Sequence, residues 1–210
     1  MNLIGFDFSI NKPAACIYTN NKYYFYSWPY NVPEKHIEIF KDSGVIIGHR
    51  YDNKEKGNTL SSKMNYEVKN AEYLSGLITT SLIPFTNGTT YIGFEGLSYA
   101  SSGDVGVQLG GYKYMLMHAL SEYVPFKNMF TYSPITIKSI AGCAKRGMGK
   151  KEMIEKFIEE GPMCRFRTKL FEHPEYFQSP KAKNWIIHLD DLVDSYFVLK
   201  TLQIKESLLK

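Results

Sequence analysis

The stretch LIGFDFS, residues 3–9, sets an acid inside an apolar strand, with Asp7 between Phe6 and Phe8. AACIYTN (14–20) and KYYFYSW (22–28) follow it, and the three read as short β segments joined by turns, with Asn20-Asn21 marking a hairpin. Burying an ionised carboxylate without a partner is very costly. Asp7 is therefore either turned to solvent by strand alternation, or neutralised, hydrogen-bonded or metal-bound. A second acid poses the same question: Glu95 sits at the end of the strand in TTYIGFEGLS (89–98). In open α/β sheets, that carboxyl edge of the strands is where ligands bind.

Outward from these strands, SGVIIGHRY (43–51) reads as another β segment, and the polar YDNKEKGNTLSSKMN (51–65) as a loop. Helical periodicity marks YEVKNAEYLSGLITTSLI before Pro84 and the strongly apolar VQLGGYKYMLMHALSEYV before Pro125. The stripe of Tyr112, Met115, Leu116 and Ala119 on the latter has the spacing of a core or dimer face. NMFTYSPITIKSIAG (128–142) is expected to be a strand running into a loop. GMGKKEMIEKFIEEG is expected to be a basic loop and a short helix ending at Gly161, and residues 161–183, punctuated by proline, irregular. The last helix is expected to start near Asp190. No repeat or linker divides the chain, so one domain over 1–210 is expected. The element order is that of an α/β fold with a mixed central β-sheet flanked by helices.

The composition, 44% hydrophobic and 22% charged over 210 residues, excludes wholesale disorder. A net charge of +4 does not by itself argue for nucleic acid. Three cysteines, Cys16, Cys143 and Cys164, have neither zinc-site nor disulfide-framework spacing. Nothing at the N-terminus reads as a signal peptide, and no stretch has the length of a membrane span, so a cytoplasmic protein with no membrane partner is expected.

Three acids crowd the start of the final helix in NWIIHLDDLVDSYFVLK (184–200). Asp191 and Asp194 share a face at three apart, and Asp190 lies four before Asp194. Acids suit a first helical turn, but three exceed what a cap needs. Like charges so placed repel unless a cation binds or one takes up a proton. Together with Asp7 and Glu95 they could supply two hard divalent ions about 4 Å apart, the arrangement used in phosphodiester hydrolysis. His188, two places before Asp190, reads first as a cap or surface residue, and second as an aid to proton transfer or phosphate contact.

This constellation resembles the ribonuclease H-like superfamily, and more closely the RuvC-type Holliday junction resolvases in the form carried by some bacteriophages. LIGFDFS is similar to the first family strand with its aspartate (Asp7). YIGFEGLSYASSG is similar to the strand that ends in a metal-binding glutamate (Glu95), and VQLGGYKYML to the glycine-containing helix that follows. HLDDLVDSYFVL resembles the closing helix motif, with Asp191 and Asp194 the matched pair and Asp190 an extra acid. SPITIKSIAGCAKRGMGKKEMI is similar to the family's basic segment, which puts Lys138 and Lys151 at DNA-contacting places, Lys151 near the scissile phosphate.

The resemblance implies a ribonuclease H-like fold and a homodimeric Mg2+-dependent endonuclease, Mn2+ substituting, that resolves four-way and related branched DNA by paired nicks. The chain departs from the family pattern at Phe8-Ser9 after the first aspartate and at Ser195 in the last motif. Lys145, Arg146 and Lys150 join Lys138 and Lys151 in an acid-free run, with Gly142, Gly147 and Gly149 permitting close backbone approach to phosphate. Arg165, Arg167 and Lys169 would extend the patch, and Tyr99 could stack on an unpaired base. A solvated basic loop and a packed tyrosine are the plainer alternatives. An RNA–DNA hybrid nuclease and a non-catalytic junction-binding protein of the same fold are the competing functions. A kinase of the actin and sugar-kinase group would need a second such domain.

Overall fold

The computed structural model describes residues 1–50, 58–96, 104–145, 147–179 and 184–208. Its strands form one sheet in the order β4-β3-β2-β1-β5-β6: β1 is Asn2–Asp7, β2 Ala14–Thr19, β3 Lys22–Ser27, β4 Val45–Ile47, β5 Thr90–Glu95 and β6 Met129–Tyr132. The first three pair antiparallel through the hairpin, where Asn20 and Asn21 both take positive φ, as its tight turn demands. β5 and β6 then extend the sheet parallel to β1, and β4 lies parallel to β3. The mixed sheet expected from the sequence is thus present.

Strand alternation divides the core in two. Ile4, Phe6, Ala15, Ile17, Ile92 and Phe94 point to one face, covered by α2 (Leu60–Leu82) and α3 (Asp104–Ser121) packed against each other. Tyr112 and Leu116 belong to this buried layer. Leu3, Ala14, Cys16 and Phe25 point to the other face, where α7 (Leu189–Lys205) lies on β1 and β2. α4 (Pro134–Ile140) and α5 (Lys150–Glu160) pack against α7, and α1 (Glu34–Asp42) and α6 (Arg165–Glu172) add Phe40, Phe166 and Leu170 to the same core.

Three expectations need correction. The helix α2 begins at Leu60, inside the stretch read as loop, with Thr59 and Ser62 closing a capping box; residues 51–57 lie outside the described set. PITIKSI is helical because Ser133 caps it and Pro134 occupies its first turn, where no backbone N–H is needed. The region 161–183 contains α6, whose Phe166 and Leu170, four apart, are buried in the core.

Candidate active site

The site is set by how closely α7 approaches the sheet. Gly5 of β1 stands opposite Gly93 of β5. A Cβ at Gly5 would lie 2.3 Å from the Leu199 backbone nitrogen and 2.4 Å from the Ser195 carbonyl oxygen, and one at Gly93 3.3 Å from the Val198 and Leu202 side chains. The paired glycines therefore form the seat on which the helix rests. Two residues further along each strand, on the same face, come Asp7 and Glu95, at the carboxyl ends of neighbouring parallel strands. The first turns of α7 bring Asp190, Asp191 and Asp194 to them.

The acids differ sharply in how their charge is met. Burial, then the charges of Asp194, Asp191 and Glu95, push the Asp7 carboxyl well above the usual range, and it shares a hydrogen bond with Glu95. Burial also raises Glu95, against the pull of that hydrogen bond and of Lys113, Lys138 and Lys150. Asp194 is pushed up to about 8 by burial and then by Glu95 and Asp190, with Lys150 opposing. Asp191 goes the other way. Burial would raise it, but His188, Lys12 and Lys150 outweigh that and hold it below the usual carboxylate range.

Asp191 is held by a buried relay. An ionised carboxylate can only accept, so His188 Nδ1 donates to Asp191 Oδ2, at 2.9 Å. His188 Nε2 meets the Ser27 hydroxyl at the end of β3, and Lys12 Nζ lies 3.3 Å from the same Asp191 oxygen. His188 is completely buried, with the ring of Phe40 edge-on to it at 5.8 Å, and its φ of 82° is in the left-handed region that few residues other than glycine adopt. Of the two roles expected for it, His188 does stand at the N-cap position of α7, where its carbonyl oxygen accepts from Leu192 N, but its side chain makes no cap hydrogen bond and is buried rather than at the surface.

The basic residues separate into those that reach the acids and those that do not. Lys150 forms an ion pair with Asp190. Its neighbour Lys151 points along α5, 3.8 Å from Glu155, with its side chain largely exposed. Lys138, half-buried on α4, acts electrostatically on Glu95, whereas Lys145 is exposed. Gly142 and Gly147 take φ of 75° and 90° in the loop between α4 and α5. Arg146 and Tyr99 lie outside the described residues. Arg167 is not part of an open patch, because its guanidinium donates to the carbonyls of Ile158 and Glu159 at 3.0 and 3.1 Å and ties α6 to the end of α5.

Two lysines escaped the sequence reading. Lys12, in the β1–β2 connection, was hidden because nothing local distinguishes it from a loop lysine. Lys113 carried a signal, a lone cation in the apolar helix α3. It is buried, its Nζ donates to the Glu95 carbonyl oxygen at 2.5 Å, and burial lowers its pKa to about 8 against the pull of Glu95. It thus steadies the backbone of the strand end that carries Glu95.

Among the described residues, no three His, Cys, Asp or Glu side chains are gathered closely enough to hold a metal ion as they stand. The donor chemistry nevertheless fits a hard divalent cation: the converging groups are all carboxylates, and the charge they concentrate is only partly met by lysine.

With this geometry in view, the fold can be compared with solved structures. The chain is similar to Thermus thermophilus RuvC, at 11% identity and a TM-score of 0.52 over 99% of this chain and 97% of that one. It is similar also to T. thermophilus RuvC in complex with a Holliday junction substrate, at 10% identity and a TM-score of 0.54 over 98% and 96%. A third likeness is the yeast mitochondrial Holliday junction resolvase Ydc2, at 11% identity and a TM-score of 0.52 over 98% of this chain and 78% of that chain. No protein-family model and no curated protein sequence matches the chain. The fold is therefore the ribonuclease H-like fold in its RuvC form. Among the described residues no helix is long and apolar enough to cross a membrane.

Proposed function

We propose that the protein is a structure-selective DNA endonuclease that resolves four-way junctions by paired nicks, acting as a homodimer with Mg2+ or Mn2+. The observation that carries this reading is the meeting of Asp7 and Glu95, at the carboxyl ends of parallel β1 and β5, with Asp191 and Asp194 on α7. It gains support from the fold shared with a RuvC bound to a Holliday junction.

Asp7, Glu95, Asp191 and Asp194 would hold the ions, with Asp190 at the rim. Bound divalent cations supply a water nucleophile at neutral pH and neutralise charge on the attacked phosphate and the leaving oxygen. The chain's own groups prepare that chemistry. His188 and Lys12 fix the orientation and charge of Asp191, and Lys113 fixes the end of β5. Lys150 and Lys138 face the phosphate from the basic side, with Lys145 and Lys151 further out along the DNA backbone, where contacts position the substrate without reading sequence.

The test is nicking of synthetic four-way junctions with and without Mg2+. Wild type should nick only with the metal, and Asp7→Asn should lose roughly 10²–10³-fold or more, the scale of removing one preorganised electrostatic group. Equal nicking by both proteins overturns the proposal.

A further inference from the structure

Beside the carboxylates lies a second concavity that the nuclease reading leaves unused. Residues 177–179 pair with 184–186: Gln178 bridges Trp185, Ser179 N donates to Asn184 O at 2.7 Å, and Ile186 N donates to Phe177 O at 2.8 Å. Phe177 and Ile186 are buried and anchor this paired segment in the core. Between it and the start of α5 opens a cleft of about 870 Å³ lined by Lys12, Lys150, Lys151, Gln178, Asn184 and Trp185, among others.

Three features give the cleft a chemistry. Its far wall is the Lys150–Asp190 ion pair, so it runs into the carboxylate site. Its lysines outnumber its acids, Glu155 and Asp190, which favours an anionic ligand. Trp185 is half-buried and lines the cleft together with Gln178 and Asn184, whose amides can both donate and accept at a base edge. Cations, a stacking plane and bidentate amides together are what an unstacked nucleotide needs, and the volume is in the range of pockets that take a group of that size.

We propose that this cleft is a nucleotide-binding subsite, which takes one unstacked nucleotide of the cut strand a short distance from the scissile phosphate and gives the enzyme a base preference there. The proposal rests on the nuclease reading above. Trp185 supplies the stacking face, Gln178 and Asn184 address the base edge, and Lys151 meets a flanking phosphate.

The experiment uses the Asp7→Asn protein, which should bind without cutting, and four-way junctions carrying 2-aminopurine at successive positions around the nick. The other tryptophan, Trp28, is fully buried, so quenching of tryptophan emission on binding reports Trp185. Binding should quench that emission and brighten 2-aminopurine at one position. Adding Trp185→Leu should abolish both signals and weaken binding about tenfold. Asn184→Ala, at an exposed position that does not endanger folding, should keep the stacking signals and flatten the base preference at that nucleotide. Unchanged affinity, 2-aminopurine pattern and base preference in both variants overturn the subsite alone. A parent protein that binds no four-way junction overturns the subsite and the nuclease reading together.

Discussion

The carboxylate site has two halves that the molecule treats in opposite ways. On one side Asp190 and Asp191 are met by Lys150, His188 and Lys12. On the other, Asp7 and Asp194 face chiefly other acids and are pushed toward protonation. Burial is common to both, so desolvation alone does not separate them; the partners do. A fold that needed only to tolerate these acids would have paired all of them. The difference suggests that the first half fixes the start of α7, while the second leaves charge for a cation to meet.

The largest effect should come from the seat that both halves share. Gly5→Ala drives a methyl group into the α7 backbone and should destabilise the protein by about 3 kcal/mol. The separation of Asp7 from Asp194 would grow, so nicking should fall even at temperatures where the variant stays folded, as circular dichroism beside a nicking assay would establish.

Next comes the paired half. His188→Ala leaves Asp191 and Ser27 without their buried partner and should reduce Mn2+ affinity and nicking roughly 10–100-fold. Rescue by His188→Asn or His188→Gln, read in Mn2+ titrations, would mark the relay as positioning the carboxylate. No loss in His188→Ala would erase the distinction between the halves.

The smallest effect belongs to Lys150. Its ion pair with Asp190 is exposed on the lysine side, and exposed pairs contribute less than about 1 kcal/mol. Lys150→Ala should therefore barely change Tm, yet weaken junction binding and reduce its salt dependence by about one counterion. A large fall in Tm would show that the pair is structural.

Much of this site is legible in the residues, and the reason is physical. Asp7 and Glu95 stand out because an acid at the end of an apolar strand violates burial, and the spacing of Asp191 and Asp194 fixes a shared helix face. The period-2 and 3.6 patterns likewise reveal β1 to β3, β5, α3 and α7. What is not legible depends on contacts far apart in sequence. Lys12 reaches Asp191 across 179 positions and Ser27 meets His188 across 161, and nothing near either residue encodes the meeting. Lys150, not Lys151, pairs with the α7 acids because of where α5 begins, a boundary that pattern leaves uncertain by a residue. The helix α6 was masked by the prolines at 162 and 174, although Phe166 and Leu170 carry its buried stripe.

The most direct test compares the thermal stability of wild type and Asp194→Asn across pH, first in EDTA and then with Mn2+. A carboxyl whose folded pKa is raised from 3.8 to about 8 binds its proton more tightly in the folded state. Its contribution is therefore favourable below pH 4 and is lost as pH rises through 8. At pH 8 in EDTA, Asp194→Asn should therefore be more stable than wild type and melt at a higher temperature. Mn2+ should raise the Tm of wild type and leave that of the variant nearly unchanged. Equal Tm values in EDTA, or equal gains with Mn2+, would contradict the assignment of the unpaired half as the cation seat.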